Sequence, residues 1–279
     1  PHSLHLIGLN LKERLGVKWL ADFRDPWTTI GYHKQLNLGK RAQQKHKILE
    51  SKVLNEVDQV VVTSFITKRE FEKLTQVPIS VISNGYDNES ISEVDLDSKF
   101  TMAHIGSLLS KRNPSVLWQA LSELIKGDKS FAEVFHLNLV GSVSDEVVNT
   151  LKSYGLSDYC NNFGYVSHKE AIRFQKKSQV LLLIEIDSEE TKCIIAGKLF
   201  EYMVSNRPIL AFGPKDSDVE KLITETKTGD YFLYDNFEPL KNTILKHYNA
   251  YKNGELQSHA IGLQKYSRKA LTKSLAELI

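Results

Sequence analysis

Cysteine is nearly absent. Only Cys160 and Cys193 occur among 279 residues, which gives no disulfide framework and no metal-site spacing. No apolar run approaches the ~18 residues of a membrane span, and no signal-peptide pattern opens the chain. Both absences lead us to expect a cytoplasmic protein. Charge of one sign is also lacking: 36 Lys and Arg face 34 Asp and Glu, a formal +2, which argues against a dedicated nucleic-acid binder. Neither GxGxxG nor GxxxxGK[ST] is found, so an NAD-type or P-loop reading is poor. At this length folding buries about three quarters of the unfolded chain's surface, so a core needs no staples. The chain opens at Pro1 in what already reads as mid-domain, and we expect an N-terminal portion to lie before it.

What is present is an alternation of helices and strands. Continuous apolar runs such as Val180-Leu181-Leu182-Leu183-Ile184 suit strands covered on both faces of a parallel sheet. The pattern predicts a helix over 4–15 stopped by Gly16, a strand over 17–23 and a long basic helix over 37–57. A strand over 59–63, a helix capped by Ser64 and a strand over 79–83 follow, ending at Asn84-Gly85-Tyr86-Asp87. Residues 87–98 are polar and acidic with little periodicity, and read as a linker. A second series opens with a strand over 100–105. Asn113-Pro114 reads as the N-cap and first-turn pair of the next helix. A strand over 135–140 follows, then a capping box at Ser167-His168-Lys169-Glu170. Strands over 180–186 and 208–212 and a helical stretch over 262–279 complete the series. Repeated βα units predict parallel sheets with right-handed crossovers. The expected class is therefore α/β, with two Rossmann-like doubly wound domains facing a cleft. The first, incomplete, covers 1–97, the second covers 98–261, and a helix over 262–279 crosses back to the first.

The most informative segment is Gly197-Lys198-Leu199-Phe200-Glu201-Tyr202, with Arg207-Pro208-Ile209-Leu210 behind it. A strand, a loop, a helix start and another strand put Gly197 and Lys198 near the carboxyl edge of a parallel sheet. Open α/β sheets bind ligands at that edge, and free N–H groups at a helix start attract phosphate. Glu201 lies one turn in, on the face of Lys198. The cation suits a sugar phosphate and the carboxylate suits ribose hydroxyls. A surface ion pair on an ordinary helix explains the same two residues.

Several motifs occur in a fixed order: Asn84-Gly85-Tyr86-Asp87; Ile105-Gly106-Ser107 with Lys111-Arg112; Gly164-Tyr165-Val166 with Glu170; and Gly197 to Tyr202. Together they resemble the retaining family 4 (group 1) glycosyltransferases of the GT-B type. Ala21-Asp22-Phe23-Arg24-Asp25-Pro26-Trp27 resembles a segment of the family's bacterial polysaccharide-synthesis branch. The resemblance implies a cytoplasmic enzyme that moves a sugar from a UDP- or GDP-linked donor to a glycan or lipid-linked acceptor. It implies surface polysaccharide synthesis, retention of configuration, and neither metal nor cofactor.

The resemblance also assigns roles. Glu201 matches the second carboxylate of the family's E-x7-E motif, which accepts hydrogen bonds from the donor ribose, each worth roughly 1.5–3 kcal/mol. The first carboxylate would fall at Cys193, which cannot replace it; Glu189 and Glu190 lie nearby. Of the basic pair expected after Gly106, Ser107 stands at the Arg position and Arg112 at about the second, with Lys111 beside it. Lys198 would supply the missing charge. Fixed cations there stabilise the leaving diphosphate more in the transition state than in the ground state. A solvated loop before a helix is the plainer account of Lys111 and Arg112. Tyr165 and Val166 would lie beside the base, although a strand end and a capped helix account for them too. In the first domain Asp25, with Arg24, is the acceptor-side catalytic candidate; a simple Arg24–Asp25 pair with Trp27 packing is the alternative. Lys34, Lys40, Arg41, Lys45, Lys47 and Lys52 stand against one acid, Glu50. That segment, 34–52, suits peripheral contact with anionic lipid on the inner membrane face or a lipid diphosphate acceptor. A solvated helix face explains it as well. Two other functions fit the pattern: a nucleotide-binding module or degenerate homologue without turnover, and a nucleotide-sugar 2-epimerase of the same architecture.

Overall fold

The computed structural model describes residues 2–87 and 94–279. Two parallel sheets carry the fold. The first is built from α1 (Ser3–Leu15), β1 (Leu20–Phe23), α2 (Gly31–Gln35), α3 (Lys40–Glu56), β2 (Gln59–Val62), α4 (Phe65–Phe71) and β3 (Ile79–Val81), with strand order β1-β2-β3. The second opens with β4 (Phe100–Ile105), α5 (Ser115–Gly127), α6 (Lys129–Val134), β5 (Phe135–Val140), α7 (Asp145–Ser153) and β6 (Cys160–Gly164). It continues with α8 (His168–Lys177), β7 (Val180–Ile184), α9 (Gly197–Met203), β8 (Ile209–Phe212), α10 (Asp218–Thr226), β9 (Gly229–Phe232) and α11 (Phe237–Lys252). A last helix, α12 (Arg268–Ala276), follows.

The second sheet runs β6-β5-β4-β7-β8-β9, so the chain reverses its direction of winding between β4 and β7. Every residue of β4, β7 and β8 is buried. Alternate residues divide between two faces. Phe100, Met102, Leu182, Ile184, Leu210 and Phe212 pack in one cluster, while Ala103, Ile105, Leu181, Leu183, Ile209 and Ala211 pack in another. That two-sided burial is why the strands read as unbroken apolar runs.

Local differences from the sequence reading have physical causes. The first strand begins at Leu20 rather than residue 17, because Gly16 closes α1 in the left-handed region and Val17 is exposed. The expected helix over 37–57 starts only at Lys40, after a break where Asn37 has φ +47°. Glu50, the lone acid of that basic segment, is buried and accepts the N–H groups of Trp27 and Thr28, both at 3.1 Å. Pro114, not Asn113, stands at the N-cap of α5. The Asn113 side chain accepts from Trp118 Nε1 at 2.7 Å and donates to Thr150 Oγ1 at 2.9 Å. The stretch over 262–279 is not one helix: a 3-10 turn (Leu263–Tyr266) ends at Ser267, whose hydroxyl accepts from Ala270 N and starts α12. Ser64 and Ser167 cap as expected, accepting from Thr67 N and Glu170 N. Residues 88–93 of the expected linker lie outside the described residues; beyond them the Asp97 N–H donates to Lys177 O at 2.8 Å.

Between the sheets, Ile66 N–H donates to Asp218 at 2.9 Å, and Lys34 pairs with Glu190. The Tyr86 N–H donates to Tyr266 O at 3.1 Å, and the Arg268 N–H to Tyr86 O at 2.9 Å. A Cβ on Gly85 would stand 2.4 Å from Tyr266 O, so only glycine permits that approach.

Candidate functional site

The reversal between β4 and β7 defines the crevice where open α/β sheets receive ligands. Three glycines turn the chain out of the carboxyl ends of neighbouring strands: Gly106 after β4, Gly141 after β5 and Gly164 at the end of β6, with φ of +116°, +126° and +62°. They stack on one another. Gly106 N–H donates to Val140 O and Gly141 N–H to Gly164 O, both at 2.7 Å. A Cβ on Gly141 would lie 2.6 Å from Gly106 O. At Gly141 that close backbone approach leaves no room for a side chain.

Into this rim comes Lys198 from the start of α9. Its Nζ donates to Ile105 O at 3.1 Å and stands 3.5 Å from His104 Nε2. A Cβ on Gly106 would meet that ammonium at 3.3 Å. His104 is wholly buried within β4, and its Nδ1 lies 3.1 Å from Leu182 O. Nδ1 therefore carries the proton, which leaves Nε2 as acceptor for Lys198. Burial first, then the Lys198 charge, holds this imidazole well below its ordinary value, so it is neutral. Burial lowers Lys198 to about 8, against the pull of Glu185. Glu185 follows β7 directly, and its side chain is only 7% exposed. Arg112 Nη2 stands 3.4 Å from Glu185 Oε2. The other Glu185 oxygen, Oε1, and Arg112 Nε are buried without a hydrogen-bond partner. Burial raises the Glu185 pKa, opposed by Lys198 and Arg112. Two cations and one carboxylate thus meet at the switch point. Orphaned polar atoms of this kind mark a place for a further polar partner.

Glu201 lies apart from this cluster, facing α8. Its Oε2 accepts from Gln175 Nε2 at 2.8 Å, and its Oε1 is 4.0 Å from His168 Nε2. Tyr165 and Val166 belong to the turn that leads into α8; Tyr165 is 94% exposed and Val166 packs on the core beneath. Glu201 and this turn therefore flank one end of the glycine rim, while Lys198 and Arg112 occupy the other. The Lys198–Glu201 surface ion pair is not formed.

A cavity of about 580 Å³ opens between the sheets, with Ile30, Gly31 and Gln35 on one side and Lys111, Asp187 and Glu190 among the residues on the other. Arg24 and Asp25 are exposed and do not line it; Arg24 Nε pairs with Asp22 at 3.1 Å, not with Asp25. Cys193 is buried with its thiol 3.8 Å from Glu190 O, and burial pushes its pKa up to about 11. Glu189 pairs with Lys192 and Glu190 with Lys34. Glu190 lines the cavity.

No family model matches the chain, and no curated protein matches it. Solved structures do. The chain is similar to HepE of Anabaena, solved in complex with UDP, at 14% identity and a TM-score of 0.73, over 100% of this chain and 76% of that one. It is similar to a sucrose-phosphate synthase from Thermosynechococcus elongatus at 14% identity and a TM-score of 0.69, over 98% and 70%. WaaG, a glycosyltransferase involved in lipopolysaccharide biosynthesis, is 13% identical with a TM-score of 0.63, over 96% and 80%. The likeness shows the fold: two Rossmann-like parallel sheets arranged as in GT-B glycosyltransferases.

Proposed function

We propose that this chain is a glycosyltransferase that takes its sugar from a UDP- or GDP-linked donor and passes it to a glycan or lipid-linked acceptor in surface polysaccharide synthesis. The observation that carries this reading is the convergence of Lys198 and Arg112 at the winding reversal of the second sheet, beside a rim of glycine turns. A diphosphate there would meet two cations, and Glu201 at the other end of the rim would accept from ribose hydroxyls. Bond cleavage leaves negative charge on the nucleoside diphosphate, and fixed cations lower that barrier with no reorganisation. Transfer would be retaining and metal-independent, as the family resemblance implies. The inter-sheet cavity, with Lys111 on its wall, has room for the transferred sugar and the acceptor, while Asp25 and Arg24 are the candidates for contact from the first sheet. HepE and WaaG, whose folds this chain shares, support the nucleotide-sugar reading. The exposed Lys40, Arg41, Lys45 and Lys47 of α3 support an acceptor held at an anionic lipid surface on the cytoplasmic side.

Cys193 favours a second reading. A buried thiol stands where the resemblance asks for a carboxylate, as in a nucleotide-binding module without turnover. Incubation with UDP- and GDP-sugars in the absence of acceptor separates the two. Slow release of UDP or GDP, abolished by Lys198→Ala, is expected of the transferase. Saturable nucleotide binding with no release from any donor would contradict transfer and favour the module.

A further inference from the structure

We infer that the six-stranded sheet carries another binding site, a saccharide pocket at the end opposite the glycine rim. A cavity of about 550 Å³ opens there, beside the amino ends of β8 and β9. Pro208, which precedes β8, and Gly229, which opens β9, are among its walls. The helices α10 and α11 reach it from opposite faces of the sheet: Leu222 and Ile223 pack in one core cluster, Leu240 and Ile244 in the other. The strap over 257–259 borders it, tied down where the Ser258 N–H donates to Asn206 O at 3.2 Å and the Ile261 N–H to Thr226 O at 2.8 Å. The walls are thus fixed by strands, core packing and backbone bonds. The volume falls within the range of small-molecule sites, about 300–1,000 Å³.

Two residues of these walls, His247 and Ser258, are more than nine-tenths buried. His247 Nδ1 and Ser258 Oγ have no hydrogen-bond partner among the described residues. Polar atoms are seldom buried unmet, and two beside one cavity mark a place for a further polar partner. His247 Nε2 stands 3.7 Å from Asp230 Oδ2. That carboxylate favours the proton on Nε2 and leaves Nδ1 a bare acceptor. Ser258 Oγ both donates and accepts. Around the cavity Lys227 and Lys246 are matched by Glu220 and Asp230, so no net charge selects an anion or a cation. The Tyr231 hydroxyl is already engaged, 2.9 Å from Ser217 Oγ and 2.8 Å from Pro214 O, which leaves its ring to the cavity. Interspersed donors and acceptors beside an aromatic ring suit a ligand with hydroxyls around an apolar C–H face. A pyranose has that chemistry.

The test is amide NMR titration of the full chain with trisaccharides of glucose, galactose, mannose and N-acetylglucosamine, and separately with inorganic phosphate. At least one trisaccharide is expected to shift the amides of Gly229, Asp230 and Ser258 saturably. Ser258→Ala removes a hydroxyl without a partner among the described residues, so the fold is kept while affinity falls about ten-fold. Asp230→Ala, at an exposed position, acts in the same direction. UDP added beforehand leaves the shifts in place, because the glycine rim lies at the other end of the strands. No shift with any trisaccharide, shifts confined to other parts of the chain, or affinity unchanged in both variants overturns the inference. Saturable phosphate binding at these amides with no response to sugar overturns it too. The donor site is judged separately, by UDP itself: its failure to bind would leave this pocket standing, and a silent sugar titration would leave the donor site standing.

Discussion

His104 sits near the end of a strand whose every residue is buried, and its polar partners there include Leu182 O and the Lys198 ammonium. Leucine fits the space but satisfies neither. His104→Leu is expected to cost about 1–3 kcal/mol, the usual penalty for leaving buried polar partners unmet, and urea denaturation measures it. The same histidine makes the fold acid-sensitive. Burial depresses His104, and burial takes His5, stacked on Phe23, down to about 4 from an ordinary 6.5. The unfolded chain binds protons that these imidazoles refuse when folded, so stability is full above pH 6.5 and is lost as pH falls toward 4. Glu185 acts with the opposite sign: its raised pKa gives stability present below the ordinary carboxylate value of 4.5 and lost as pH rises above it. Urea midpoints measured across that range are therefore expected to fall on acidification in wild type, and less so in His104→Leu.

Among the elements, the strands over 100–105 and 135–140 were legible to the residue, because burial on both faces makes each a mostly apolar run. β6, Cys-Asn-Asn-Phe-Gly, and β9, Gly-Asp-Tyr-Phe, carried no apolar signal: both are edge strands, exposed along one side. The break between α2 and α3 was missed: the residues from Lys40 favour helix, but Asn37 takes the left-handed region and Gly39 is the N-cap of α3. The site was half legible. Gly106, Arg112 and Lys198 were chosen by motif and do converge; Glu185 and His104 were missed. The signals for them were a carboxylate set immediately after Val-Leu-Leu-Leu-Ile and a histidine within the buried strand over 100–105. Two element-level outcomes follow from close packing. Ser64→Ala, removing a buried cap that accepts from Thr67 N at 3.1 Å, is expected to cost about 1 kcal/mol. Gly229→Ala would place a methyl 1.9 Å from Ile209 O and is expected to unpair β9 from β8, detectable as loss of amide protection in Gly229–Phe232 by hydrogen exchange.

At the scale of the whole molecule, two sheets meet across a cleft through directional contacts that include Ile66 with Asp218 and Lys34 with Glu190. Among the described residues no helix is long and apolar enough to cross a membrane. If the basic face of α3 meets anionic lipid, the chain co-sediments with phosphatidylserine vesicles at low salt, and Lys40→Glu with Lys45→Glu abolishes it; equal sedimentation by that variant would contradict the contact. The central claim is that the carboxyl edge of the six-stranded sheet receives the nucleoside diphosphate of a sugar donor. Calorimetric titration of UDP, GDP and ADP into the wild-type chain and Glu201→Ala tests it most directly. We predict that UDP or GDP binds the wild type and that Glu201→Ala weakens it roughly ten-fold, about 1.4 kcal/mol. Absence of binding by all three nucleotides to the wild-type chain would contradict the account.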